Sequence, residues 1–362
     1  MKITIIGGGI SGLYTALLLS KNSQNQIKLF EKNKYFGGRI YTHHEIFNNE
    51  HVQFEAGAGR ISVQHKLFKN LLKKLDLYKN TRNITFEKDS KIINLVKLLY
   101  SDTKINKNTL RIQFGYDAEF KYLSKEILRD YLQKNFQGPF YTIENGLSEL
   151  IKNICSLLKQ CPNVKLYLNK RVTEISDTYS RLSNGKLIEH DYMICTIQPD
   201  LYKFIKFPLR VRNYIRTHIL NNVISVSLCR IYVFVQNCDV SKLNKLTTNG
   251  PVRMLIPLKN YNNFSTIMIY TDSKWADWWN IHVSMDIIEK YLKKNLIHES
   301  NLKILDYRKF YWKHGVYLRK KNEIQCNGNN NIQNMSFVGE FDSCNSQGWI
   351  EGALESVIRT LT

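Results

Sequence analysis

The hydrophobic pattern at the start of the chain predicts a strand, a turn, a helix and a second strand. A β-branched run covers residues 2–6, a glycine-rich stretch covers residues 7–12, and apolar positions at helical spacing cover residues 13–20. A second short run at residues 27–30 ends on the acidic Glu31. Strand and helix periods in this order are typical of a βαβ unit. We therefore predict an α/β chain that opens with a Rossmann-like unit.

Further along the chain, the same reading predicts elements that return to this first unit. Helical spacing covers residues 147–158, and strand runs follow at 164–168 and 171–175. The pair Asn184-Gly185 predicts a hairpin turn before a strand at 191–196. Residues 1–62, 146–200 and 324–362 are therefore assigned to one discontinuous nucleotide-binding lobe.

The remaining stretches have a different pattern. Residues 63–145 carry helical charge patterns, and residues 201–323 contain long β-rich runs at 223–235 and 266–270. At 362 residues the chain exceeds the usual size of a single hydrophobic core. We predict that 63–145 and 201–323 form a second, mixed α+β lobe, which would bind the substrate.

Composition adds a strong positive charge to this picture. The chain is 43% hydrophobic and 23% charged, as in an ordered globular protein, and its formal net charge is +21. Such a charge favours anionic partners. The basic residues are scattered over polar helix faces, however, so a solvated basic surface is the simpler interpretation and weak polyanion binding is the alternative.

The cysteines and the hydropathy indicate the compartment. Seven cysteines contain no CxxC pair and no Cys/His cluster at metal-ligand spacing, so we expect reduced thiols and no metal site. No run is long enough to span a membrane, and residues 1–19 do not resemble a signal peptide. We expect an intracellular, cytoplasmic protein of unassigned oligomeric state. Its Asn-, Lys- and Ile-rich composition is typical of AT-rich genomes, such as those of parasites or large DNA viruses.

The glycine-rich stretch fits the GxGxxG pattern between a predicted strand and a predicted helix. In this position Gly7 allows a tight turn, Gly9 lets the backbone approach phosphate, and Gly12 lets the helix pack on the strand. The amide groups around Ser11 then face a pyrophosphate at the helix N-terminus. Glu31, about 20 residues further on, can accept hydrogen bonds from ribose hydroxyls. This combination predicts a dinucleotide site.

The segment after Glu31 resembles the flavin amine oxidase family. The sequence YFGGR at residues 35–39 follows Glu31 at the family's spacing. The resemblance implies that Gly38 allows close backbone approach and that Arg39 pairs with the pyrophosphate of FAD. Family members usually carry arginine where Asn33 stands, so Lys32 or Lys34 would replace that contact.

The resemblance continues through the middle and the end of the chain. The sequence FEAGAGRI at 54–61 resembles the family segment beneath the flavin ring, and RV at 171–172 resembles the strand that contacts adenine. The sequences FVGE at 337–340 and QGWIEGA at 347–353 together resemble the C-terminal flavin motif. The implied FAD contacts, with FAD held non-covalently, are Gly57, Gly59, Arg60, Val172, Gly339, Glu340, Gly348, Trp349 and Ile350. A helix beginning near Trp349 would direct its N-terminal amides at the flavin N1/O2 edge.

Three positions favour the L-amino-acid oxidase branch of the family. The resemblance implies that Arg60 binds the substrate carboxylate, that Tyr270 donates to the same carboxylate, and that Trp349 walls the site. The alternatives are a surface or phosphate-facing Arg60 and a Tyr270 that serves the core of a strand. The expected reaction is oxidative deamination of an L-amino acid by hydride transfer to flavin.

Two other functions stay open. A polyamine or monoamine oxidase would need an aromatic cage, which Trp349 could form with Trp312 or Tyr317. Family oxidases also carry a lysine where Arg230 stands, near flavin N5, so reaction with O2 is uncertain in this chain. A catalytically weakened FAD-binding protein with a polyanion-binding surface is therefore the second alternative.

Overall fold

The computed structural model describes residues 1–84, 107–136, 138–296, 301–319 and 331–362. The strands are β1 (Lys2–Ile6), β2 (Gln26–Phe30), β3 (Thr42–Phe47), β4 (Glu50–Glu55), β5 (Ile61–Ser62), β6 (Thr81–Asn83), β7 (Phe140–Ile143), β8 (Val164–Tyr167), β9 (Val172–Ile175), β10 (Tyr179–Leu182), β11 (Leu187–Glu189), β12 (Tyr192–Cys195), β13 (Val223–Gln236), β14 (Leu246–Thr247), β15 (Met254–Asn260), β16 (Ser265–Asp272), β17 (Lys303–Arg319), β18 (Asn331–Ile332) and β19 (Met335–Phe337).

The α-helices are α1 (Ile10–Leu19), α2 (Lys66–Lys74), α3 (Lys107–Phe114), α4 (Ala118–Tyr122), α5 (Lys125–Phe136), α6 (Ser148–Gln160), α7 (Leu209–Tyr214), α8 (Ser273–His282), α9 (Met285–Asn295) and α10 (Ile350–Leu361). A π-helical turn, Ile215–Leu220, continues α7. Short 3₁₀ turns lie at Tyr78–Asn80, Pro199–Phe204, Val240–Lys242 and Glu340–Asp342.

The first sheet is the predicted Rossmann-like unit. Its order is β18-β19-β12-β1-β2-β8, and the pairs from β19 to β8 are parallel. Helices α1, α6 and α10 pack on it through a buried cluster that includes Leu13, Leu29, Ile154 and Leu354. Parallel strands covered on both faces are buried on both faces, which explains why residues 3–6 of β1 and 193–195 of β12 are all buried. The predicted α/β class is confirmed.

The second sheet is antiparallel, in the order β14-β15-β16-β13-β17. Alternate residues of β13, such as Cys229, Ile231 and Val233, pack in one buried cluster with Trp279 of α8. Side chains alternate between the faces of a strand, so Arg230 lies on the opposite face of the sheet. The register pairs Arg230 with Tyr270 of β16, which places the two predicted site residues side by side.

Several local predictions agree with the structure in position, and one requires correction. Gly185 occupies the turn between β10 and β11 with φ +85°, as the Asn-Gly hairpin signal indicates. No helix in the described parts of the chain is long and apolar enough to cross a membrane. The expectation of reduced thiols throughout is wrong at Cys344, which is disulfide-bonded. The free cysteines among the described residues are Cys155, Cys161, Cys195, Cys229 and Cys238.

Candidate active site

The turn between β1 and α1 forms an open cradle. Gly7 has φ +106°, a conformation that residues with a Cβ rarely adopt. A Cβ on Gly12 would lie 2.0 Å from the Gly7 carbonyl oxygen, whereas a Cβ on Gly9 would meet no atom within 4 Å. Helix α1 has no side-chain cap and no acidic residue in its first turn. The positive end of α1 therefore faces free space beside Gly9, where an anion such as a pyrophosphate fits.

Glu31 lies at the end of β2, beside this cradle. Its buried carboxylate accepts hydrogen bonds from the backbone N–H groups of Gly8 and Asn33, both at 2.8 Å. Each carboxylate oxygen keeps a further lone pair that a ribose hydroxyl can use. Sequence reasoning gave Glu31 only the ribose role, but the structure shows that it also fixes the glycine turn. Lys32 and Val172 line the same end of the cavity.

Arg39 and Glu340 form an ion pair that links the two ends of the chain. The Arg39 Nη1 lies 2.5 Å from Glu340 Oε1 and donates to the Gly315 carbonyl at 2.8 Å. Burial raises the pKa of Glu340, and the Arg39 charge opposes this. Glu340 Oε2 is buried without a hydrogen-bond partner in the described structure. The sequence treats these residues as separate cofactor contacts, whereas the structure shows them paired, with one acceptor oxygen left over.

Small residues let the segment after β4 pass close to its neighbours. A Cβ on Gly57 would lie 1.8 Å from the Arg39 carbonyl oxygen, and one on Gly59 would lie 2.8 Å from Arg230 Nη1. Arg230 Nη1 donates to the Glu55 carbonyl at 2.7 Å, and the Trp312 indole donates to the Ala56 carbonyl at 2.6 Å. These bonds fix the segment against β13 and β17, so side chains at the two glycines would force the elements apart.

A cavity of about 850 Å³ runs from the glycine cradle to the second sheet. Such a volume is large enough for a cofactor with a small substrate. Its lining brings together most of the residues predicted from the sequence: Gly7, Gly9, Ser11, Glu31, Lys32, Gly38, Arg39, Gly57, Gly59, Arg60, Val172, Arg230, Tyr270, Trp312, Gly339, Glu340, Gly348, Trp349 and Ile350. Helix α10 begins at Ile350 with no side-chain cap, and Gly348, Trp349 and Ile350 all line the cavity. The N-terminal amides of α10 therefore lie at the cavity wall.

Gly12 and Tyr317 are not part of that lining, for different reasons. Gly12 packs directly against the Gly7 carbonyl, as expected for a glycine that brings α1 close to β1. Tyr317 is only 1% exposed, and its hydroxyl donates to Asp200 Oδ2 at 2.8 Å. Tyr317 therefore lies outside the cavity lining of the described structure, with its ring centre 5.9 Å from the Arg39 guanidinium carbon.

The Arg60 guanidinium lies within a box of aromatic rings. Its central carbon is 4.7 Å from the ring centre of Phe140, 5.3 Å from those of Phe136 and Trp349, and 5.6 Å from that of Tyr116. It also donates a hydrogen bond to the Tyr116 hydroxyl. In the described parts of the chain it forms no ion pair with a carboxylate. Ring faces stabilise a cation without neutralising it, so Arg60 keeps a positive charge that is directed into the cavity.

Two buried carboxyl groups, Glu119 and Asp272, also line the cavity. Burial raises the pKa of Glu119 to about 8 and that of Asp272 to about 6, and nearby carboxylates add to both effects. Neither residue was predicted from the sequence. The available signal was Glu119 between apolar Ala118 and Phe120, two residues after Asp117, in a stretch otherwise rich in lysine.

His65 is a buried residue that lies outside the cavity lining. Burial lowers its pKa to about 3, and its Nε2 is 3.2 Å from Asn135 Oδ1. The imidazole packs edge-on against Trp349 at 4.8 Å and so helps to hold that indole. No cysteine or histidine belongs to the cavity lining among the residues that the structure describes.

These features fit an extended dinucleotide such as FAD. The open space at Gly9 is suited to phosphate, the acceptor Glu31 to ribose hydroxyls, and the unpartnered oxygen of Glu340 to a further hydroxyl group, and all three residues line one cavity. The capless start of α10 adds a positive terminus at the other end, suited to an electron-rich ring edge.

Comparison with known proteins gives the same result. Residues 101–360 match the family of flavin containing amine oxidoreductases, and residues 5–75 match an NAD(P)-binding Rossmann-like domain family. Protein R188 of Acanthamoeba polyphaga mimivirus is 21% identical, and the match covers 98% of this chain and 92% of that protein.

Shorter matches and solved structures are also similar. Tryptophan 2-monooxygenase of Allorhizobium ampelinum is 43% identical over 60 residues, which cover 16% of this chain and 8% of that enzyme. Achacin of Lissachatina fulica is 36% identical over 78 residues, which cover 21% of this chain and 14% of that protein. A structure of putrescine oxidase bound to putrescine has a TM-score of 0.73 at 14% identity over 99% of this chain and 98% of that one, which shows a shared fold.

The family match spans more than half of the sequence, and the family implies FAD as the cofactor. The chain therefore belongs to the flavin-containing amine oxidoreductases.

Proposed function

We propose that this FAD-dependent oxidoreductase oxidises an L-amino acid to the corresponding imino acid, which water then hydrolyses. The observation that carries the proposal is Arg60, a cation in the cavity that lacks a carboxylate partner among the described residues. A substrate carboxylate supplies that partner. The planar guanidinium and the planar carboxylate match in two parallel hydrogen bonds.

The residues around Arg60 preorganise this contact. The faces of Phe140 and Trp349 restrict the guanidinium, and the Trp349 indole is itself held because its Nε1 donates to the Tyr131 hydroxyl at 3.1 Å. Tyr270 lies one ring further, 6.0 Å from Tyr116. Burial raises the pKa of Tyr270 far above its usual range, so it stays a neutral donor suited to the same carboxylate.

The bound FAD supplies the hydride acceptor in this reaction. The protein's part is to orient the substrate between Arg60 and the flavin, to exclude water with the aromatic wall, and to keep a positive charge at Arg230 beside Gly59. No imidazole or thiol belongs to the described lining, so we propose that FAD is bound non-covalently and that the amine enters as its free base.

A polyamine or monoamine oxidase is the first alternative. The likeness of the solved putrescine oxidase structures favours it. The aromatic box argues against it, because the protein's own Arg60 already fills the place that a substrate ammonium would take. Repulsion by Arg60 would further weaken the binding of a second cation.

A catalytically weakened FAD-binding protein is the second alternative, and Arg230 is the reason to keep it. Arginine in place of the family's lysine keeps the charge but has a different shape and cannot act as a neutral base. We propose a slow reaction with O2, or electron transfer to another acceptor. Salt-sensitive binding of DNA without flavin bleaching by any amine would support this alternative instead.

Anaerobic mixing of the yellow holoenzyme with L-amino acids and with polyamines tests the proposal. We expect L-amino acids to bleach the flavin, and we expect Arg60→Met to raise KM about 100-fold, since a charge-assisted pair contributes about 3 kcal/mol. Arg216→Met, an exposed arginine on the π-helical turn, is the matched control. Bleaching by polyamines alone, or an Arg60→Met variant that behaves as wild type, would overturn the proposal. Release of the flavin by acid precipitation tests non-covalent binding.

A further inference from the structure

Glu119 is a buried carboxyl group at the cavity wall with no partner that explains it. It lies on α4 and is 7% exposed. Its Oε2 has no hydrogen-bond partner, and the residue forms no ion pair in the part of the chain that the structure describes. Leaving a buried carboxyl oxygen unpaired is unfavourable by about 1–3 kcal/mol. A group of this kind beside a substrate cavity points to a ligand contact.

The neighbouring charges do not balance Glu119. Asp117 already pairs with Arg111 and, at 3.1 Å, with the fully buried Arg253. Asp272 accepts the Asp117 backbone N–H at 2.9 Å, and its Oδ1 is another buried oxygen without a partner among the described residues. Both arginines pair with Asp117, and neither Glu119 nor Asp272 forms an ion pair among the described residues.

Substrate binding at Arg60 increases this imbalance. The charge of Arg60 favours the ionised form of Glu119, while Asp272 and Asp117 oppose it. A substrate carboxylate on Arg60 cancels that favourable charge. A cation on the same substrate would restore the balance, because Glu119 and Asp272 both line the cavity that holds the substrate.

We propose that Glu119, assisted by Asp272, is a specificity-determining residue that binds the cationic side chain of a basic L-amino acid. This inference rests on the proposed oxidation of amino acids and names the substrate class. The substrate's carboxylate lies on Arg60, its α-amine faces the flavin, and its distal ammonium or guanidinium meets Glu119. The alkyl chain between them packs on aromatic and aliphatic side chains such as Phe136 and Met254.

Paired substrates test this assignment directly. L-Lysine and L-norleucine share a straight side chain and differ at its charged end. Anaerobic flavin bleaching by wild-type holoenzyme should show kcat/KM for lysine at least about 30-fold above that for norleucine, as expected for one charge-assisted hydrogen bond. Glu119→Gln should remove most of this preference by lowering kcat/KM for lysine, and it should change kcat/KM for norleucine little. Glu144→Gln, an exposed carboxylate, should leave both substrates unchanged.

The outcomes separate the two proposals. Equal rates with lysine and norleucine in wild type, or a Glu119→Gln variant that slows both substrates alike, would overturn the specificity assignment while amino acid oxidation stands. If no L-amino acid bleaches the flavin, the proposed function itself fails and the assignment with it. The wild-type comparison requires no variant, so it decides the question even if Glu119→Gln does not fold.

Discussion

Replacing Glu119 with glutamine should change how the stability of the protein depends on pH. The pKa of this carboxyl group is raised from 4.5 to about 8, chiefly by burial, so between these values the folded state binds a proton that the unfolded state has released. Stability therefore falls as pH rises through this window, and the loss is complete above about pH 8. Glutamine cannot ionise, so the variant lacks this loss.

The size of the effect follows from the same numbers. A difference between about 8 and 4.5 corresponds to about 5 kcal/mol at about 1.4 kcal/mol for each pKa unit, of which about 4 kcal/mol falls between pH 5 and pH 9. With an unfolding entropy of about 2.1 cal/mol/K per residue, a chain of 362 residues changes its Tm by about 1.3 °C for each kcal/mol. The Tm of Glu119→Gln relative to wild type should thus rise by about 5 °C from pH 5 to pH 9.

Differential scanning fluorimetry of both proteins at a fixed excess of FAD measures this difference across the pH range. The exposed carboxylate variant Glu144→Gln should show a flat difference over the same range. A Glu119→Gln difference that is equally flat would refute the reasoning, because it would mean that the Glu119 carboxyl group keeps an ordinary pKa in the folded protein.

Two further predictions concern the cofactor and oxygen. Gly9→Ala should fold, since its Cβ would meet no atom within 4 Å, but it should bind flavin poorly because that Cβ would occupy the cradle. Gly12→Ala should instead lower the Tm of the protein, since its Cβ would lie 2.0 Å from the Gly7 carbonyl oxygen. Circular dichroism and the flavin-to-protein absorbance ratio distinguish the two, and an equal loss of structure in both would contradict the assignment. Arg230→Lys should speed flavin reoxidation in air severalfold after anaerobic reduction, as stopped-flow absorbance would show; an unchanged rate would mean that this residue does not limit the reaction with oxygen.

Local patterns in the sequence predicted much of the fold and many of the residues around the candidate cofactor site. The glycine turn before α1 and the acidic end of β2 depend on chain geometry within about 30 residues, so the spacing of these residues can be recognised in the sequence. The partner of Arg39 is not visible in this way, because Glu340 lies 301 positions away and only the sheet order brings them together. The aromatic box around Arg60 was missed for the same reason, since its rings come from three regions of the chain, at residues 116, 136–140 and 349.

Helix length also differed from the pattern. The apolar spacing predicted a helix from residue 13, whereas α1 begins at Ile10. The first turn contains Ser11 and Gly12, which are poor helix formers, but close packing on β1 outweighs their propensity. The buried carboxyl group of Glu119 was not predicted, because its apolar neighbours in the sequence are a weak signal and burial depends on the folded chain.

The ion pair between Arg39 and Glu340 can form only after residue 340 has been synthesised, because the two residues lie 301 positions apart. A ribosome makes the chain from the N-terminus, so the glycine cradle leaves it long before residue 340 exists. Strand β19, which flanks β12 in the first sheet, and helix α10 also lie beyond residue 330. A nascent chain therefore carries an incomplete cofactor site until these elements have been made, and a chain interrupted before residue 340 lacks one wall of the site.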